Sequence, residues 1–116
     1  MNTKFYVIDS DNIDSKKMQE AGELIAAGEL VAFPTETVYG LGGDALHPDA
    51  AKKIYEAKGR PSDNPLIIHI AEVSDLERVG KNVPEQAKKL ADAFWPGPLT
   101  MIVWKKDEVP FATTGG

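Results

Sequence analysis

Lys58 and Arg60, a lysine and an arginine two residues apart, are the side chains best suited to bind a phosphorylated ligand. On a continuous helix they would point about 200° apart, because the helix has about 3.6 residues per turn. Gly59 between them provides a break that lets both side chains converge. The lysine would then act as a point charge and the arginine as a fork for phosphate oxygens. The alternative is two solvated charges at a helix C-terminus, where cations are mildly favoured.

A glycine-rich polar loop, residues 33–43, is the second stretch with ligand-binding chemistry. Two threonines, a glutamate and three glycines fill it: Thr35, Thr37, Glu36, Gly40, Gly42 and Gly43. The hydroxyls can donate or accept, the carboxylate can accept from an ammonium group, and the glycines allow positive φ and close approach of the backbone to a ligand. The loop matches neither standard nucleotide-binding fingerprint. Its alternative role is a connection that satisfies only its own backbone.

His69 is the third candidate and lies in a short apolar run, residues 66–70. In an extended chain it shares one face with Ile67, whereas Leu66, Ile68 and Ile70 take the other. A single histidine on an apolar strand is more often a satisfied core residue than a ligand contact. The second histidine, directly before a proline, is interpreted as a helix-entry residue.

Strands alternating with helices predict an α/β domain around these residues. Strands are predicted at residues 4–8, 30–33, 66–70 and 99–104, and the run 66–70 favours parallel pairing because it is apolar on both faces. Helices are predicted at residues 15–27, 49–58, 74–77 and 85–94, the third from a capping-box pattern at its start. Gly28 and Gly59 stand where helices end.

Two helical faces are predicted to enter the core. One consists of Ala51, Ile54 and Tyr55, and the other of Ala87, Leu90, Ala91 and Phe94.

Length and composition restrict the class of protein. The 116 residues predict one domain, and 42% hydrophobic with 27% charged residues is typical of soluble globular proteins. The absence of cysteine excludes thiolate chemistry, and two histidines argue against a dedicated zinc site. A net charge of −5 argues against a general nucleic-acid-binding surface. With no signal peptide and no membrane-length apolar run, we expect a cytoplasmic protein.

Five segments, in order, resemble the YrdC-like family, the threonylcarbamoyl-AMP synthases. They are residues 31–42 (VAFPTETVYGLG), 54–61 (IYEAKGRP), 64–69 (NPLIIH), 94–100 (FWPGPLT) and 112–116 (ATTGG). The resemblance implies a twisted mixed sheet flanked by helices, with a concave ligand cavity. It also implies that residues 1–116 correspond to the N-terminal portion of the family domain.

The resemblance implies condensation of L-threonine, bicarbonate and ATP to threonylcarbamoyl-AMP and pyrophosphate, in support of a tRNA modification. It assigns ATP binding to Lys58, Arg60, Asn64 and Thr114. It assigns threonine binding to Thr35 and His69. Mg²⁺ is expected with the ATP, no residue is predicted as a covalent nucleophile, and no membrane is involved.

Double-stranded RNA binding and partner proteins of tRNA modification also follow from the resemblance, although the acidic composition gives RNA binding no independent support. The alternative function is a non-catalytic module that binds nucleotide or double-stranded RNA without turnover. A nucleotide hydrolase is a third possibility.

We also expect that these 116 residues are not a self-sufficient enzyme. They end at Gly115-Gly116 after a predicted strand and turn, which would leave a sheet edge and face uncovered. The resemblance implies that the family's Ser-x-Asn segment, the second half of the nucleotide clamp, lies in the part beyond. The chain would then be a fragment, or would take the missing surface from another copy or another chain.

Overall fold

The computed structural model describes residues 2–115, which form helices and short strands in alternation. The helices are α1 (Ser15–Ala26), α2 (Pro48–Lys58), α3 (Leu76–Val79), α4 (Glu85–Phe94) and α5 (Phe111–Thr114), with a 3-10 turn at Val73–Asp75 before α3. The strands are β1 (Val31–Phe33), β2 (Gly40–Gly42), β3 (Gly80–Lys81) and β4 (Trp104–Lys105). The predicted α/β class is therefore confirmed. Gly116, the last residue of the ATTGG segment, lies outside the described residues.

The strands pair in two antiparallel sheets of two strands each. β1 pairs with β2, placing Val31 opposite Gly42 and Phe33 opposite Gly40. β3 pairs with β4, placing Gly80 opposite Lys105. Within residues 2–115 the predicted mixed sheet is represented by these two pairs, and the parallel pairing favoured for residues 66–70 is not formed there.

Helix α2 contributes half of the buried apolar residues of the described chain. Ala50, Ala51, Ile54 and Tyr55 are at most 6% exposed and lie on one face. Helix α5 packs against α2. The core face predicted for this helix is therefore confirmed, as are its bounds to within one residue.

Helix α4 buries a narrower face than its sequence predicts. Ala87 and Ala91 are buried, but Leu90 and Phe94 are 44% and 60% exposed. Two alanines make only a narrow contact stripe, and the larger side chains flank it. Lys88 Nζ lies 2.9 Å from Glu77 Oε1 and joins α4 to α3; this ion pair lowers the pKa of Glu77 and raises that of Lys88.

The start of the short helix near residue 74 differs from the prediction. The capping box is formed by Glu72 and Asp75, which cap the 3-10 turn, and not by Ser74 and Glu77. The helical turn therefore begins one residue earlier, because the carboxylate of Glu72 is the side chain that reaches the free backbone N–H groups.

The strand predicted at residues 4–8 is not formed. This segment lies against α1, where Tyr6 Oη donates to Glu20 Oε2 at 2.6 Å and Lys17 Nζ donates to the Val7 carbonyl at 3.1 Å. Phe5 is 87% exposed. β-propensity describes a fit to a pleated surface, and this segment has no paired strand among the described residues.

Two further predicted strands are shorter or absent because all or most of their positions likewise lack a paired strand among the described residues. Residues 66–70 form no ladder, and the Leu66 N–H donates instead to the Thr113 carbonyl at 3.0 Å. Of residues 99–104, Trp104 alone is in a strand, and the pairing continues into Lys105, which was predicted to begin a turn. Ile102 is 98% exposed.

No helix in the described part of the chain is long and apolar enough to cross a membrane.

Replacing Ile54 by valine should lower the free energy of unfolding by about 0.5–1.5 kcal/mol, because a buried methyl group is lost. Glu56→Ala, at an exposed position of the same helix, is the control and should change stability by less than about 0.5 kcal/mol. Urea unfolding followed by circular dichroism measures both. Equal effects of the two substitutions would show that α2 does not anchor the core.

Candidate ligand-binding cavity

A cavity of about 590 Å³ lies between the β1–β2 hairpin, the end of α2, residues 65–71 and α3. This volume is within the range of about 300–1,000 Å³ that is usual for small-molecule sites. Four of the six predicted site residues line it: Thr35, Lys58, Arg60 and His69. Side chains from three separate segments of the sequence therefore meet at one place.

The chain turns sharply between Lys58 and Arg60, as predicted. Gly59 is left-handed with φ 62°, and its N–H donates to the Glu56 carbonyl at 3.3 Å. The Arg60 N–H donates to the Tyr55 carbonyl at 3.0 Å, which completes a Schellman ending. Neither cation forms an ion pair with a carboxylate of residues 2–115. Both charges therefore stay available to an anionic ligand.

Asn64 and Thr114 do not belong to the cavity lining. The Asn64 carbonyl accepts from Tyr55 Oη at 2.7 Å, and Thr114 Oγ1 lies 3.3 Å from the Phe111 carbonyl. The segment Ser62-Asp63-Asn64, separated from Arg60 by Pro61, itself has Ser-x-Asn spacing, and it too lies outside the lining. The ATP-binding roles of Asn64 and Thr114 remain predictions.

Thr35 holds the tip of the hairpin in a tight turn. Its Oγ1 donates to the Val38 carbonyl and accepts from the Thr37 N–H at 3.2 Å. Hydroxyl groups commonly close such turns on their own backbone. The Thr35 hydroxyl thus has a local structural role and also lies in the cavity wall. Val38 and Tyr39, at the tip, are 76% and 75% exposed.

The glycines of the hairpin allow an aromatic ring to lie against its backbone. A Cβ on Gly42 would lie 2.8 Å from the Phe33 ring, and one on Gly40 would lie 3.0 Å from it. Neither glycine has positive φ, so that part of the sequence-based expectation was wrong. Here the glycines permit the close approach of the Phe33 ring. Phe33 pairs with Gly40, and Gly42 lies two residues further along the same strand.

Phe33 in turn contacts His69. The two rings meet edge to face, with centroids 5.9 Å apart and an angle of 75° between their planes. Ile67 and His69 share one face of residues 66–70 as predicted, but that face is exposed, so the expectation that both faces of this run are covered was wrong. His69 is therefore not a buried core residue. Its Nδ1 lies 3.4 Å from the Ile67 carbonyl, and its ring is held against Phe33 at the cavity wall.

Four polar residues of the lining were not predicted: Asp44, Asp75, Arg78 and Thr113. Asp44 Oδ1 accepts from the Leu46 N–H at 2.9 Å, and Arg78 Nη1 lies 3.6 Å from Asp75 Oδ1. Thr113 is 1% exposed. Proline before and glycine after residues 111–114 mark a short helix, but no signal in the sequence distinguishes the buried Thr113 from its neighbour Thr114.

The same chain matches proteins of known family along most of its length. The Sua5/YciO/YrdC family model, described as "Telomere recombination", matches residues 23–116. The chain belongs to this family. The threonylcarbamoyl-AMP synthase of Pyrococcus abyssi is 56% identical over 106 residues, which are 91% of this chain and 31% of that protein. The Bacillus subtilis threonylcarbamoyl-AMP synthase is 52% identical over an alignment that includes all of this chain and 35% of that protein.

The fold agrees with a solved family structure. The crystal structure of P. abyssi Sua5 complexed with L-threonine superposes with a TM-score of 0.87 at 56% identity. The match covers 90% of this chain and 31% of that one. This chain therefore spans about a third of the length of these two relatives. The predicted family and its α/β fold are confirmed.

Substituting Gly42 by alanine should displace the Phe33 ring, because the new Cβ would lie only 2.8 Å from it. His69 would then lose its edge-to-face contact, and the proton resonances of its imidazole should shift. The chain contains two histidines, so the His69 signal is readily assigned by substitution. Gly22→Ala is the control, since nothing lies within 4 Å of a Cβ there. An unchanged His69 signal in Gly42→Ala would contradict the proposed contact chain.

Proposed function

We propose that this chain forms the ATP- and L-threonine-binding pocket of a threonylcarbamoyl-AMP synthase. The observation that supports this most is the convergence of Thr35, Lys58, Arg60 and His69 on one cavity. Lysine and arginine suit the phosphates of ATP, and a hydroxyl with an imidazole suits a small polar amino acid. Because the relatives are about three times as long, catalysis by the complete protein is part of the proposal.

The two ends of the cavity would hold different substrates. Lys58 and Arg60 lie where α2 ends and would bind the phosphates, with Asn64 and Thr114 as further ATP contacts. Thr35 and His69 lie on the hairpin and on the run 66–70, and they would bind L-threonine. The ring of Phe33 contacts His69 and separates it from the hairpin backbone. The reacting groups of the two substrates would then meet between these walls.

The chemistry requires positioning more than a reactive side chain. The threonine amine would bond to the carbon of bicarbonate and release water, which leaves a carbamate. A carbamate oxygen would attack the α-phosphorus of ATP, and pyrophosphate would leave with the bonding electron pair. Negative charge grows on the leaving phosphates, and two unpaired cations stabilise it in a partly enclosed site. Alignment of two bound substrates supplies much of the remaining acceleration.

Mg²⁺ would accompany ATP and not occupy a dedicated protein site. No group of three His, Cys, Asp or Glu residues between positions 2 and 115 is arranged to hold a metal. Mg²⁺ is usually held by substrate phosphates and one or two carboxylates, and Asp44 is a carboxylate of the lining. Asp44 is therefore the residue we expect nearest the ion, which would neutralise phosphate charge.

The product would supply a tRNA modification, which places the reaction in the cytoplasm and implies partner proteins that accept threonylcarbamoyl-AMP. Binding of double-stranded RNA is a further expectation for the family. Neither the net charge of −5 nor the cavity lining favours an RNA surface, so RNA binding is the weaker part of the proposal.

Pyrophosphate release is the experiment that tests the function. The chain is assayed alone and with the remaining family segment restored, in the presence of ATP, Mg²⁺, L-threonine and bicarbonate, and each of these is omitted in turn. Release that requires both L-threonine and bicarbonate supports the synthase. ATP loss that ignores threonine would identify a hydrolase, and nucleotide or RNA binding without any turnover, even with the remaining segment restored, would identify a binding module.

Lys58→Ala and Arg60→Ala should each weaken ATP binding by about ten- to a hundredfold. A hydrogen bond to a charged group is worth about 1.5–3 kcal/mol, and each variant loses such a bond. Arg60→Lys should recover only part of the affinity, because the fork is lost. Lys89→Ala removes an exposed cation of α4 as the control. Calorimetry measures the ATP affinity of all four variants. Unchanged affinity in both Lys58→Ala and Arg60→Ala would show that these two residues are surface charges only.

Thr35→Val and His69→Ala should impair L-threonine binding more than ATP binding. Both remove a polar group from the walls assigned to the amino acid and leave the end of α2 intact. Calorimetric titration with each ligand separates the two effects. If each variant lost both ligands to the same extent, the division into two subsites would be wrong.

A further inference from the structure

We propose that Thr113 is a positioning residue that sets the separation of the two cavity walls assigned to L-threonine. This role rests on the proposed function of the cavity. Thr113 is 1% exposed and is the buried polar side chain of the described core. It was not among the residues that the sequence indicated. The sequence indicated its neighbour Thr114 instead.

One residue is bonded to both walls. Thr113 Oγ1 donates to the Ala45 carbonyl at 2.7 Å, across 68 positions of sequence. Ala45 lies in the lining three residues after β2, on the hairpin side. The Thr113 carbonyl accepts from the Leu66 N–H at 3.0 Å, where the run that carries His69 begins. Thr113 is thus a direct bridge between the hairpin side and the histidine side.

The histidine side of this bridge is held rigidly by neighbouring contacts. Tyr55 Oη, from α2, donates to the Asn64 carbonyl at 2.7 Å. Gly115 has φ 77°, and a Cβ there would lie 2.7 Å from the Asp63 carbonyl oxygen. Residues 63–66 are therefore fixed from both α2 and α5. The hydrogen bond from the Thr113 hydroxyl to the Ala45 carbonyl connects residues 63–66 to the segment following β2.

The two ligand ends depend on this bridge to different degrees. Thr35 and His69 lie on the two segments that Thr113 joins, so a change in wall separation changes their distance. Lys58 is on α2 and Arg60 follows its Schellman ending, where backbone bonds to α2 hold the chain without the Ala45 bond. Loss of the hydroxyl should therefore affect L-threonine more than ATP. A mere loss of folding would affect both ligands equally.

Thr113→Val keeps the volume of the side chain and removes the donor, which leaves the Ala45 carbonyl unpaired. We expect about tenfold weaker L-threonine binding and less than about threefold change for ATP, measured by calorimetry. Thr113→Ser restores the hydroxyl and should bring the L-threonine affinity back to within about threefold of the parent. Thr100→Val is the control, because Thr100 is exposed and outside the cavity.

A second readout needs no ligand. The imidazole resonance of His69 and the amide resonances of Ala45 and Leu66 should shift in Thr113→Val and return in Thr113→Ser. If the parent chain bound no L-threonine, the proposed function would fail, and these resonances alone would decide the positioning role. Should the valine variant not fold, Thr113→Cys replaces it, since a thiol is a weak donor. Unshifted resonances, or equal loss of both ligands without rescue by serine, would overturn the proposal.

Discussion

The packing of α2 against α5 is the interaction on which the cavity depends. The buried face of α2 consists of two alanines, an isoleucine and a tyrosine. Because the alanines are small, α5 can pack close to α2. The end of α2 then fixes where Lys58 and Arg60 begin, and the hydroxyl of Tyr55 reaches beyond the helix to hold the next segment. Core packing and the placement of the cations thus come from one helix.

The hairpin depends on α2 less directly. A Cβ on Gly43 would lie 3.2 Å from the Cβ of Ala50, so the strand end and the first turn of α2 nearly touch. Phe33 fills the opposite side of the hairpin and meets His69. Thus two small residues, Gly43 and Ala50, set the distance between the hairpin and α2. The ring of Phe33 sets the contact between the hairpin and His69. Volume at these contacts matters more than polarity.

Helices α1, α2 and α4 were predictable because their signals are local. Gly28 and Gly59 both occupy the left-handed ends expected of them, and apolar spacing identified Ile54 and Tyr55 as core. Residues 4–8 and 66–70 failed as strands because pairing requires a neighbour that propensity cannot reveal. For the site, residue type and a helix-breaking glycine identified Lys58 and Arg60. Thr113 was missed because the role proposed for it rests on a contact with Ala45, 68 positions away, which no local pattern encodes.

The charge of the cavity is local and opposite to that of the chain. The chain carries a net charge of −5, yet two cations at the end of α2 have no carboxylate partner among the described residues. Arg78 differs, because Asp75 lies 3.6 Å from it and offsets its charge. An anionic ligand is therefore attracted to the α2 end of the cavity and not to its α3 side.

The turn at Thr35 determines which kind of ligand atom its hydroxyl can meet. A hydroxyl has one hydrogen to donate and two lone pairs to accept with. The hydrogen is committed to the Val38 carbonyl, and one lone pair accepts from the Thr37 N–H. The Thr37 hydroxyl lies beside the other lone pair, with its Oγ1 3.4 Å from Thr35 Oγ1, and can donate to it. While the turn is intact, Thr35 therefore has no hydrogen to offer a ligand, and a donor group of a ligand reaches its oxygen only by displacing the Thr37 hydroxyl.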